Sequence, residues 1–142
     1  MTQLTPHFSL EEFVHSQTAA RMGISNDLPI ALKASAIRTC QGLERVRVLL
    51  NANAIHISSG YRCKPVNDAV GSKDSSQHLK AEAVDFTSPF ATPRRIVEAI
   101  VNSDLDYDQV ILEYDSWVHI SFAERNRFQA LIIDRFGTRG FK

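Results

Sequence analysis

Hydrophobic positions along the chain change period near residue 55. Before it the spacing is helical. Ser9-Leu10-Glu11-Glu12 has the form of a capping box, with Glu12 placed to reach back to the Ser9 amide, and it opens a short helix carrying Leu10, Phe13 and Val14. Gly23 to Asp27 is polar and turn-like. Pro29 fits the first turn of a second helix. On that helix Ile30, Ala34, Ile37, Cys40 or Gln41, Val46 and Leu50 form the apolar face, and Arg38, Glu44, Arg45 and Arg47 face water. Asn51-Ala52-Asn53 ends it.

Beyond residue 55 a period of two takes over. Ile55-His56-Ile57-Ser58 alternates like a strand, and Ser59-Gly60-Tyr61-Arg62 breaks it. Lys64 to Val70 reads as a short helix with Pro65 near its start, and Gly71 to Ser76 as a polar loop. Ala83-Val84-Asp85-Phe86 reads as a buried strand. Thr92-Pro93 is an N-cap followed by a first-turn proline, ahead of a helix with Ile96, Val97, Ile100 and Val101 on one face. Gln109–Glu113 and Trp117–Phe122 flank Tyr114-Asp115-Ser116 as a hairpin. The tail, with Phe128 and Leu131 to Ile133, carries no assignable pattern. Helices first and a mainly antiparallel sheet afterwards predict a small α+β domain spanning residues 1–142.

Composition narrows the function. Sixteen basic and sixteen acidic residues give a formal net charge of zero, so there is no phosphate-binding surplus of the kind nucleic acid demands. No apolar run approaches the ~18 residues of a membrane span. Met1 to His7 lacks a basic start and apolar core, so the expectation is synthesis in the cytoplasm without a secretory signal. Cys40 and Cys63 are too few for a disulfide framework and read as reduced thiols.

Three residues stand out chemically. His78 sits in a polar loop, Asp85 inside an apolar strand, and His119 in mid-strand on the same face as Trp117 and Ser121. A strand carboxylate flanked by Val84 and Phe86 needs a metal, an arginine or hydrogen bonds, because burial without a partner costs several kcal/mol. Two imidazoles and one carboxylate are a suitable donor set for a catalytic zinc ion. Spacing alone leaves satisfied core histidines and a turn aspartate as the competing reading.

Several ordered motifs then agree. Ser59-Gly-Tyr-Arg62, Val66-Asn67, Gly71-Ser72, Ser76-Gln-His-Leu-Lys-Ala-Glu-Ala-Val-Asp85, Tyr107 to Glu113 and Trp117-Val-His-Ile-Ser121 together resemble the zinc D-Ala-D-Ala carboxypeptidase family. They are most similar to its small phage and bacterial peptidoglycan-peptidase branch. Phe8 to Phe13, Ser16 and Thr18-Ala19 extend the likeness to nearly the whole chain. The resemblance implies a hedgehog/DD-peptidase-like fold and a zinc ion, Zn2+, held by His78, Asp85 and His119. It implies hydrolysis of an amide bond in peptidoglycan stem peptides, as a carboxypeptidase or an endopeptidase. Arg62 would steady a substrate carbonyl or carboxylate, with Ser76, Gln77, Trp117 and Ser121 around the ligands. It further implies a monomeric phage lysis or virion-associated enzyme acting on the cell wall. A non-catalytic zinc-binding or phage structural module of the same fold is the alternative.

Three departures matter. The family glycine three residues after the first histidine is Ala81, which is penalised by ~1 kcal/mol if that backbone needs positive φ. The serine that commonly follows the motif arginine is Cys63, read as a small buried residue. Many relatives carry an acid three residues before the last histidine, where this chain has Ser116. The general base is then Glu113 or Asp115, and the hairpin register decides: a three-residue turn puts Glu113 opposite Trp117 and on the His119 face, a two-residue turn points it away. Glu113 is favoured. His7, His15 and His56 have no supporting context.

Overall fold

The structure, a computed structural model, describes residues 2–141. Strands β1 (Gln3–Thr5) and β2 (Phe8–Ser9) form a small antiparallel ribbon ahead of helix α1 (Leu10–Val14). The capping box is formed: Ser9 Oγ accepts from the Glu12 amide at 3.2 Å, and Glu12 Oε1 accepts from the Ser9 amide at 2.8 Å. Helix α2 (Gln17–Met22) ends on Gly23 in the left-handed conformation.

The second predicted helix needs a correction at its start. A 3-10 turn over Ile30–Leu32 follows Pro29, and α3 begins at Lys33 and runs to Leu49. A 3-10 turn has ~3.0 residues per turn against ~3.6, so residues before Lys33 fall out of angular register with the helix behind them. Ile30 is accordingly 92% exposed and Ala34 is also exposed, while Ala36, Thr39, Cys40, Leu43, Val46 and Leu50 form the buried stripe. Arg38 and Glu44 face partners rather than open water: Arg38 lies 3.4 Å from Glu82, and Glu44 accepts from His7 at 2.7 Å. Cys40 is fully buried, and burial pushes its thiol up to about 12, which leaves it unreactive at neutral pH.

Strand β3 (His56–Ser59) and helix α4 (Lys64–Ala69) precede a second 3-10 turn over Gln77–Lys80. Then come β4 (Ala83–Thr87), α5 (Pro93–Val101), β5 (Gln109–Glu113), β6 (Trp117–Ser121), β7 (Gln129–Asp134) and β8 (Gly137–Gly140). The six-stranded sheet has the order β3-β4-β6-β5-β7-β8. Its pairs are antiparallel except β5–β7, which is parallel. The tail that carries no assignable pattern thus becomes a hairpin that extends the sheet. The fold is α+β, as expected.

Register divides the sheet into two faces. Val84, Ile120 and Val110 lie side by side across three strands, as do Phe86, Val118, Leu112 and Ile132 across four. These residues are buried in one core with Ala36, Leu43 and Val46 of α3 and Ile96, Val97 and Ile100 of α5. The other face carries Asp85, His119, Ile111 and Leu131 in one row, and Trp117, Glu113 and Ile133 in the next. No helix of the described residues is long and apolar enough to cross a membrane.

Candidate metal centre and cleft

Asp85 and His119 are direct cross-strand partners, so their side chains leave the sheet together. Asp85 Oδ1 lies 2.9 Å from His119 Nδ1. His78 arrives from outside the sheet, on the 3-10 turn, with its Nε2 3.4 Å from the same carboxylate oxygen. The ligand atoms of all three lie within 4.8 Å of one another. The two imidazole rings meet edge to face at 5.1 Å.

Local chemistry aims each group. Ser76 caps the turn, its Oγ accepting from the His78 amide at 3.2 Å. The Gly60 carbonyl accepts from His78 Nδ1 at 2.7 Å. A carbonyl can only accept, so Nδ1 carries the proton and Nε2 presents its lone pair to the centre. Burial lowers the proton affinity of His78, although Asp85 opposes that shift. Burial alone would raise the Asp85 carboxyl, yet His78 and His119 outweigh it and hold it well below the usual carboxylate range. A lone pair and a carboxylate oxygen face each other at the centre of a His/Asp/His set. Such a set can hold a divalent cation between its members, and the donors suit zinc.

The hairpin turn is Tyr114-Asp115-Ser116, with Tyr114 and Asp115 both at positive φ, and Glu113 pairs with Trp117. This register sends Glu113 onto the His119 face, 3.8 Å from His119 Nδ1. Burial and the nearby Asp85 raise its carboxyl above the ordinary glutamate value, against opposing pulls from His119 and Arg62. Asp115 is exposed outside this cleft, 3.7 Å from Arg94.

Arg62 follows Tyr61, whose amide donates to the Phe13 carbonyl at 3.0 Å. Buried Asn26 ties the same segment by donating to the Val14 and Tyr61 carbonyls and accepting from the Cys63 amide. Arg62 Nη2 donates to Ser76 Oγ at 3.3 Å, and its Nε is buried without a partner. These groups line one cleft of about 810 Å³ with Trp117, Ile111, Leu131 and Ile133 along its apolar side. The Trp117 indole N–H is buried and has no hydrogen-bond partner among the described residues.

Other expected site residues have different employment. Gln77 lines the cleft, yet its amide donates to Asp108 at 2.8 Å and lies 3.4 Å from Glu82. Ser121 is fully buried and accepts from the Gln109 amide, clear of the cleft lining. Cys63 is half-buried, its thiol 3.7 Å from the Ser25 carbonyl, and stands outside the ligand group. Ala81 adopts φ +58°, so the first branch of the sequence expectation applies: alanine occupies a left-handed position.

Asp108 escaped the sequence reading because nothing local marks it. Its carboxylate, 2% exposed, accepts from the Arg127 amide, Nε and Nη2 and from Gln77, linking the His78 turn to the start of β5. Arg127 foremost, and then Gln77, hold Asp108 below the usual carboxylate range against burial. A depressed native pKa contributes stability that is present above the unfolded value near 3.9 and is lost as pH falls through the native one. Asp108→Asn should therefore lose about 2 kcal/mol at pH 7. It should also show a shallower decline of the urea midpoint below pH 4 than the unsubstituted chain, and an equally steep decline would exclude this role.

A family model described as Peptidase M15 matches residues 6–121. A comparison with curated proteins gives no match.

Proposed function

The chain belongs to the peptidase M15 family, and from that premise we propose that it is a zinc-dependent peptidase hydrolysing an amide bond in peptidoglycan stem peptides. The observation that carries this reading is the convergence of His78, Asp85 and His119 within 4.8 Å, with Glu113 beside them in an open cleft. His78, Asp85 and His119 would hold the ion, which supplies Lewis-acid polarisation of the scissile carbonyl when bound.

The chain's own groups carry the rest. Glu113 takes a proton from the attacking water and delivers it to the departing amine, so one carboxylate serves first as base and then as acid. Its raised pKa suits both halves of that cycle. Arg62 presents a guanidinium fork to a substrate carbonyl or carboxylate. Gly60 and Ser76 keep the His78 ring aimed. Trp117, Ile111, Leu131 and Ile133 give the peptide an apolar wall and keep bulk water from that side. The proposed setting is that of a phage lysis or virion-associated enzyme acting on the wall, which rests on the motif resemblance.

The test is digestion of purified peptidoglycan by the zinc-loaded protein, followed by mass spectrometry of the released fragments. New amino groups are expected, and the fragment masses identify the bond cut. Fully zinc-loaded protein that releases none from walls of several stem compositions overturns the reading.

A further inference from the structure

Thr39 is a fully buried polar residue on α3, among Ala36, Cys40, Leu43 and Val46 of the same stripe. A buried hydroxyl without a partner is costly, and a helical threonine commonly satisfies it on the carbonyl one turn back. This one leaves its own helix. Thr39 Oγ1 donates to the Ala81 carbonyl at 2.8 Å, 42 residues further along the chain.

Ala81 closes the 3-10 turn that carries His78. At φ +58° its amide turns back to the Gln77 and His78 carbonyls. The Glu82 amide donates to the Gln77 carbonyl at 3.0 Å, and the His78 carbonyl accepts from the Arg62 amide at 3.1 Å. A left-handed conformation is strained for a residue with a Cβ and persists only where the surroundings hold it. The Thr39 hydroxyl is such a hold, and α3 behind it is fixed in the core with Val84 and Ile120. The preceding residue, Arg38, lies 3.4 Å from Glu82, so one helix grips both residues that follow the turn.

Asp85 and His119 need no such anchor, because strand pairing sets them. His78 comes from outside the sheet, and its distance from Asp85 depends on the shape of the turn. Ser76 fixes the start of that turn and the Gly60 carbonyl fixes the ring. We propose that Thr39 is a positioning residue for the metal centre: its hydroxyl holds Ala81 left-handed, keeps the turn closed at its far end and so sets His78 against Asp85 and His119. The proposal deepens the zinc reading and rests on it for the ion, though not for the placement of His78.

Thr39→Val replaces the hydroxyl by a methyl of similar size, and two measurements test it. Zinc affinity, read by competition with a chelator, should fall about tenfold, at the low end for residues that orient a metal ligand. In metal-free protein, exchange of the His78 Nδ1 proton, which is held on the Gly60 carbonyl and read by NMR of histidine-labelled protein, should quicken several-fold. Thr39→Ser keeps the hydroxyl and should restore both, and Thr39→Ala reads the same loss if Thr39→Val does not fold. Val46→Ala, a cavity in the same buried stripe, should lower the urea midpoint and leave both measurements unchanged. Unchanged affinity and exchange in Thr39→Val, or equal losses in Val46→Ala, overturn the proposal. Unsubstituted protein that takes up no zinc removes the zinc reading, and faster exchange in Thr39→Val alone then still supports the placement of His78. Full zinc without cleavage of any wall peptide removes the peptidase reading and leaves the Thr39 comparison standing.

Discussion

Glu113→Gln is expected to keep stoichiometric zinc and lose about 10²–10⁴-fold in kcat. The amide is nearly the same size as the carboxylate, so the apolar wall and the pairing with Trp117 survive. None of the three ligand atoms is removed, because Glu113 stands outside the His78, Asp85 and His119 group. On the proposed mechanism, what disappears is the ability to accept a proton from water and return it to the leaving amine. Measurement of bound zinc together with the rate of wall-fragment release separates the alternatives. A variant with full zinc and full activity removes Glu113 from the chemistry. Unsubstituted protein with full zinc and no activity favours the non-catalytic module, in which metal contributes folding energy alone. His119→Ala is the companion control, since it deletes a donor and should lose zinc itself.

Gly60→Ala should destabilise the fold by about 3 kcal/mol or more. A Cβ at this position would stand 2.2 Å from the Phe13 carbonyl oxygen and 3.2 Å from the Phe13 ring. The first contact is with backbone, which cannot swing aside like a flexible side chain. That backbone is also fixed, because the Phe13 carbonyl accepts from Tyr61 next door. Relief therefore requires the Gly60 segment to move, and the Gly60 carbonyl moves with it. Since that carbonyl fixes the His78 ring, zinc affinity should fall by about 10–100-fold in whatever protein folds. Urea unfolding and zinc titration read the two effects separately. Gly71→Ala is the comparison: φ is +74° there but nothing lies within 4 Å, so a loss of only about 1 kcal/mol is expected. Equal midpoints for the two variants would overturn the steric account.

Part of this was legible along the chain because its causes are local. The capping box needs only Ser9 and Glu12 three residues apart, and it forms. The alternation through Val110 to Leu112 and Val118 to Ile120 marks strands whatever they pair with. The start of α3 was less legible because Ile30 looks like the first residue of an apolar stripe. A 3-10 turn breaks the angular count before Lys33, and Ile30 ends in solvent. The hairpin of β7 and β8 was illegible for another reason. β8, Gly-Thr-Arg-Gly, has no apolar residue and is exposed along its length, so only pairing with β7 defines it.

The candidate site divides along the same line. The sequence by itself determined which residues have the right donor atoms: two imidazoles and a strand carboxylate that no apolar neighbour can satisfy. It also determined, by the parity of a strand, that Trp117, His119 and Ser121 share a face. Tertiary structure decided what that parity was worth. Pairing in register places His119 against Asp85, and the 3-10 turn brings His78 to them. The three-residue turn puts Glu113 rather than Asp115 on the His119 face, because a shift of one residue would have put every side chain of β5 on the opposite face. Ser121 shows the limit of parity, since it shares the face yet sits beyond the end of the cleft. Asp108 acquires meaning only from long-range geometry. Whether a charge is spent or left over depends on its neighbours in space, and a linear chain records only its neighbours in sequence.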